Sequence, residues 1–229
     1  MYFGHYALAT AVKAKKPELP VMPIFLATGA IDIVNGINIM LGISKVDPNL
    51  ETKPYLYFDL TQIDWDHSLL MGIVWSLVAG GLAYFFYRKD NTTGLSTTLV
   101  AFSHWLLDVP VHNADLALYP GSSLKFGWGL WRVMGEYAWH LEVIFSLILL
   151  IYAYQTSKKR GETIWPQILF MGLLMCNISP WLSPMKMVAS LPEPYTHLLH
   201  GFLVSLGFIL PAFIFKWLYQ QTGKPIKTI

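Results

Sequence analysis

Residues 95–112, LSTTLVAFSHWLLDVPVH, decide how the rest of the chain is read. The run is apolar enough for a membrane helix, yet it carries His104, Asp108 and His112. Residues four apart share a helix face, so His104 and Asp108 point the same way. Pro110 disturbs or ends that helix and lets the chain swing His112 back toward the pair. An Asp at the centre of a bilayer costs about 2.5–3.5 kcal/mol on insertion scales, so these groups need partners. Two imidazoles and a carboxylate on one face suit a divalent metal such as zinc.

Outward from that stretch, the composition points to a membrane protein. Of the 229 residues 54% are hydrophobic and 13% charged, and the mean hydropathy is +0.44. Several apolar runs approach the roughly 20 residues that cross a bilayer. The expected architecture is all-α: one integral membrane domain over residues 1–229, a polytopic bundle of six spanning helices plus an amino-terminal half-helix. The half-helix covers residues 2–14, and the spans cover 21–43, 67–87, 95–111, 136–154, 164–188 and 197–219. Asp66 is expected to cap the second span. Pro180 and Pro184 are expected to kink or break the fifth. A polar loop fills 44–66, and a loop rich in glycine and aromatics fills 113–135. The net charge of +2 and the lack of a basic patch interleaved with aromatics exclude a nucleic-acid partner. The single Cys176 excludes an intrachain disulfide. The first lysines follow the apolar start rather than precede it, so this segment is expected to stay in the mature protein.

Charge suggests an orientation. With Lys13, Lys15 and Lys16 in the cytoplasm, an alternating path also puts Arg88, Lys89, Lys158, Lys159, Arg160, Lys216, Lys224 and Lys227 there. Eleven of the sixteen basic residues then lie inside, as the positive-inside rule requires. The site is expected to open to the outer side of a bacterial inner membrane, with the carboxyl terminus in the cytoplasm. At 1.5 Å per residue, His5, Asp32, His104 and Asp108 reach similar depths in this arrangement. All seven histidines fall in the outer half.

Each polar residue also has a plainer reading. His104 and Asp108 can form a packing hydrogen bond, but ionisable groups inside a membrane are usually functional. The same argument favours Asp32 as functional and His67 as a ligand over a mere cap. Glu136 and His140, four apart, make a second carboxylate–imidazole pair, while Glu142 is read as a solvated or packing residue. His197 and His200 are weaker candidates for binding a substrate headgroup. The nine tryptophans fit an interface belt.

The motifs GHYALA (His5), TGAIDI (Asp32), DHSLLMG (Asp66, His67) and SHWLLD (His104, Asp108) together form a pattern. On these the first half of the chain resembles the bacterial membrane-bound metal-dependent hydrolases. That family is similar in motif order to zinc-dependent phospholipases C. The order of ligands in those enzymes is followed here by His5, Asp32, His67, His104-x-x-x-Asp108, His112 and Glu136-x-x-x-His140. The last pair runs in reverse, Glu before His. The resemblance implies two or three Zn²⁺ ions held by these eight residues and bridged by Asp108. It implies hydrolysis of a phospholipid or lipid-linked phosphoester by a metal-activated hydroxide, with a membrane lipid as partner. Asp32 would act as ligand or general base, and Arg132, rather than Lys125, would contact a phosphate. Two rival classes use the same residues: a metal-ion or proton transporter, and a haem-binding membrane protein pairing His104 with His140.

Overall fold

The computed structural model describes residues 1–51 and 57–222. Helix α1 (Phe3–Lys15) is followed by a bent pair, α2 (Val21–Ala27) and α3 (Ala30–Met40). Next come strands β1 (Lys45–Pro48) and β2 (Phe58–Gln62), the short α4 (Asp64–His67), and the helices α5 (Leu69–Phe86) and α6 (Asn91–Asp108). A loop containing β3 (Leu116–Ala117) and β4 (Lys125–Phe126) leads to α7 (Leu130–Met134) and α8 (Tyr137–Lys158). The chain then runs through α9 (Trp165–Asn177), α10 (Met185–Ala189) and α11 (Tyr195–Thr222). The strands form two antiparallel pairs, with Val46 opposite Leu60 and Leu116 opposite Phe126.

The helices meet where side chains are smallest. A Cβ on Gly36 would lie 2.3 Å from the Gly201 carbonyl oxygen, and one on Gly201 would lie 2.3 Å from that of Gly36. This is where α3 crosses α11, and no larger residue fits without parting the helices. Helices α5 and α6 cross similarly, for a Cβ on Gly80 would meet Thr98 Oγ1 at 1.8 Å. Between these crossings Phe3, Tyr6, Phe25, Phe208 and Phe215 form the centre of the core.

Two interruptions shape the site. The α2–α3 pair bends by 56° at Thr28–Gly29, and a Cβ on Gly29 would fall 2.1 Å from the Phe208 ring. In α11, Pro211 has no N–H to offer the carbonyl of Gly207, four residues earlier. The Tyr2 hydroxyl donates to that oxygen at 2.7 Å, and Tyr6 donates to the next, on Phe208, at 2.7 Å. The start of α1 therefore supplies the hydrogen bond that Pro211 removes.

The expected six spans are not found. Among the described residues three helices, α5, α8 and α11, are long and apolar enough to cross a membrane, or four spans if the bent pair counts as one. The hydropathy of 21–43 runs through a break at Gly29 that divides it into helices of 7 and 11 residues. The fifth expected span stops at Asn177 after 13 residues, about 20 Å of helix, and resumes only as the short α10. Helix α6 has 18 residues, but Thr92, Thr93, Ser96, Thr97, Thr98 and Ser103 make it too polar. The loop expected over 44–66 instead contains the β1–β2 hairpin. The cap of α5 is Ser68, whose hydroxyl accepts from Met71 N at 3.3 Å, rather than Asp66. The fold remains largely α-helical, and the outward faces of its longest helices are apolar, with Leu77, Leu82, Ile148 and Phe213 exposed.

Candidate metal centre

Six of the expected ligands converge. His5 comes from the first turn of α1, Asp32 from just after the α2–α3 bend, and His67 from the end of α4. His104 and Asp108 come from the last turns of α6, and His112 from the turn that follows it. Three groups can hold a metal ion: His5 with His104 and Asp108, Asp32 with His67 and His104, and His67 with Asp108 and His112.

Their spacing suits a tetrahedrally coordinated metal ion. Tetrahedral donors with bonds of about 2.0–2.1 Å lie about 3.3 Å from one another. Here His5 Nε2 is 3.3 Å from Asp108 Oδ1, and His104 Nε2 is 3.1 Å from Asp108 Oδ2. Asp32 lies 3.2 Å from His67 Nε2 through one oxygen and 3.4 Å from His104 Nε2 through the other. His112 Nε2, at 3.7 Å from Asp108 Oδ2, is slightly looser. The Nε2 atoms of His5 and His104 are buried without a hydrogen-bond partner. Burying such a nitrogen unpaired costs about 1–3 kcal/mol, which a metal ion would offset. Asp108 reaches His5 through Oδ1 and His104 and His112 through Oδ2, the geometry of a bridging carboxylate. The Met1 nitrogen also hydrogen-bonds Asp108 Oδ1.

Three of the four histidines are fixed at the opposite ring nitrogen. His104 Nδ1 lies 2.5 Å from the Thr28 carbonyl oxygen, which the bend at Gly29 leaves free of a helical partner. His67 Nδ1 contacts Asp66 Oδ1 at 2.7 Å, and His112 Nδ1 contacts Asp115 Oδ1 at 2.9 Å. Such contacts turn Nε2 toward the metal and raise ligand basicity. Asp66 is completely buried and is itself held by Asn35 (2.8 Å), Asn38 (3.0 Å) and Ser44 (2.5 Å). Burial alone would lower the pKa of His67, but the carboxylates of Asp32 and Asp66 on either side raise it to about 10.

Other expected site residues lie elsewhere. Glu136 and His140 are exposed, belong to none of the three groups, and His140 stands beside Trp139 and Trp181. The buried carboxylate of α8 is Glu142, which accepts from Tyr2 N at 2.6 Å and Gly4 N at 2.9 Å and so caps α1 beside His5. Two residues are about 200° of helix, so His140 and Glu142 cannot face the same side. The stripe Ala138, Glu142, Ser146, Ala153, Ser157 of mostly small side chains marks the packed face of α8 and was the available signal. An exposed His140 also removes the proposed haem pairing with His104. Arg132 is exposed on α7, and its neighbour Trp131 turns inward instead. Lys125 lies 3.4 Å from Asp64. His197 is occupied, with Glu193 at 2.6 Å and the Val46 carbonyl at 2.8 Å. His200 is buried against Phe58, and its Nδ1 lacks a partner.

A cavity of about 330 Å³ opens onto the cluster, reaching Asp32, His67, Asp108, His112 and His200. Asp32 is the accessible carboxylate, its side chain 18% exposed against 2% for Asp108. Fold and site thus define an α-helical protein with candidate membrane spans and a buried His/Asp centre suited to metal. Compared with family models, with curated proteins and with solved structures, the chain matches none.

Proposed function

We propose that this chain is a membrane-embedded, zinc-dependent hydrolase acting on a phospholipid or other lipid-linked phosphoester. The observation that carries this reading is the set of donor spacings of 3.1–3.4 Å around Asp108 and Asp32. It rests also on the resemblance of the GHYALA, TGAIDI, DHSLLMG and SHWLLD motifs to membrane-bound metal-dependent hydrolases. His5, Asp32, His67, His104, Asp108 and His112 would hold two or three Zn²⁺. When bound, the metal supplies Lewis acidity, making water nucleophilic near neutral pH and offsetting charge that builds on phosphoryl oxygens.

The chain's own groups do the rest. Asp108, buried among the imidazoles of His5, His104 and His112, would offset the positive charge of metal held there. Asp32 faces the cavity and can orient or deprotonate an attacking water. His200 lines the same cavity with an unused Nδ1, placed to donate to a phosphate oxygen if that nitrogen carries the proton. Thr28, Asp66 and Asp115 hold three imidazoles in register, so little reorganisation is needed on binding. The outer-facing orientation of the site, with the lysine-bearing helix ends in the cytoplasm, belongs to the same reading. In its favour, Arg160 donates to the Ala14 carbonyl at the end of α1 away from His5.

Elemental analysis of detergent-purified protein should find at least one zinc per chain. His104→Ala and Asp108→Ala should lose it, and release of phosphorylated headgroup from mixed phospholipid vesicles should stop with a chelator. Protein free of zinc, or variants that keep it, would refute the proposal.

A further inference from the structure

The cavity at the cluster does not end there. From Gly207 it continues as an apolar slot between α9 and α11, lined by Leu206, Leu210 and Ile214 on one side and Phe170 and Leu174 on the other. Leu174 is buried, Phe170, Leu206 and Ile214 are half-buried, and Leu210 is 51% exposed, so the slot opens sideways past Leu210. At its far end Phe170 stacks edge-on against Phe215 at 5.1 Å and closes the path. The seven helical steps of α11 from Gly207 to Ile214 correspond to about 10 Å. One leaflet of a bilayer core is about 15 Å deep, half of roughly 30 Å. The slot therefore starts at the metal ligands and runs for most of a leaflet's depth with a hydrocarbon-like lining.

A water-soluble phosphoester would gain nothing from such a lining, and a protein segment would leave backbone polar groups unpaired in it. A hydrocarbon chain has no polar groups to satisfy. Joined to a headgroup at Asp32 and His200, it would enter sideways without leaving the membrane.

We propose that the α9–α11 slot holds one hydrocarbon chain of a lipid whose headgroup lies at the Asp32–Asp108 cluster, with Phe170 as the stop that limits how far the chain reaches. This rests on the hydrolase reading for the headgroup, but the slot itself is tested without any reaction. The probe is phosphatidylglycerol carrying a diazirine on a palmitoyl chain, mixed into phosphatidylcholine nanodiscs that hold the full chain, with the labelled peptides mapped by mass spectrometry.

Labels should concentrate on Leu206, Leu210, Leu174 and Phe170. Excess dipalmitoyl phosphatidylglycerol should compete them away, while glycerol phosphate, which has the headgroup chemistry but no chain, should not. Leu210→Trp fills the slot from its open side. Loss of contact with a pair of methylenes lowers occupancy about tenfold, and slot labelling should fall by that factor. Phe170→Ala should extend labelling toward Phe215. An unchanged melting temperature in detergent for both variants would show that the fold is intact. Labels spread evenly over the outer faces of α5 and α8, or labelling unaffected by Leu210→Trp in folded protein, would overturn the slot. Slot labelling in a protein that holds no zinc would keep the slot and reject the hydrolase.

Discussion

Replacing Asp66 with Asn tests whether the polar network behind His67 tunes the metal. The carboxylate contacts His67 Nδ1 and accepts from Asn35, Asn38 and Ser44, at 2.5–3.0 Å in all. Asparagine keeps the volume but turns one oxygen into an NH₂, which then meets a donor from Asn35, Asn38 or Ser44. One buried polar group is left unsatisfied, a cost of about 1–3 kcal/mol in stability. The imidazole also loses its anionic partner. Removing such an outer partner lowers metal affinity by about 10–100-fold, or about 1.4–2.7 kcal/mol. The assay is competition for zinc against a chromophoric chelator at pH 7.5, with thermal melting read in parallel. Asp115→Asn is the internal comparison: it holds His112 in the same way, but is 14% exposed and its ligand is the looser one. Its loss should be the smaller. An Asp66→Asn protein that binds zinc as tightly as wild type, or less affected than Asp115→Asn, would refute the argument.

Gly36→Leu should lower the melting temperature in detergent, since overpacking costs about 1–3 kcal/mol or more where the α3 and α11 backbones touch. Gly81→Ala and Gly172→Ala, where an added Cβ meets nothing within 4 Å, should be neutral or gain up to about 1 kcal/mol. Metal uptake should depend on pH in a defined direction. The metal-free His67, with its pKa raised to about 10, is protonated at pH 7 and must lose that proton to bind. Zinc affinity should therefore rise with pH toward 10, and calorimetry in buffers of different ionisation enthalpy should detect proton release. Glu136→Gln with His140→Ala should leave zinc content unchanged, as measured by elemental analysis, whereas Glu142→Gln should weaken the seating of α1 and with it the His5 position.

What could be read from the sequence follows from the range of each interaction. His104 and Asp108 were legible as a pair because four-residue spacing alone puts them on one face. The same rule made Glu136 and His140 co-facial but could not say which face of α8 turns inward. That depends on the fit of small side chains against α1. Hydropathy averages read through Thr28–Gly29 and through residues 178–184, because a break of two to seven residues barely changes the mean. The consequence was two spans too many on that account, with α6 added despite its threonines. The support of Asp66 was illegible for a further reason: its partners come from α3, from the turn before β1 and from α4. No local pattern links them.

The hydroxyl of Tyr2 on the Gly207 carbonyl carries a consequence for how the protein is made. His5 is held in place by α1, which is capped by Glu142 of α8 and joined to α11 through Tyr2 and Tyr6. A ribosome delivers α11 last, about two hundred residues after His5. Until then the first helix has its Glu142 cap from α8 but not the Gly207 and Phe208 carbonyls that accept from Tyr2 and Tyr6. The seating of α1, and with it the position of His5, is thus completed only when the final helix docks. A chain stalled or cut before α11 would carry all six candidate ligands but lack the carbonyls of Gly207 and Phe208 that hold the start of the helix bearing His5.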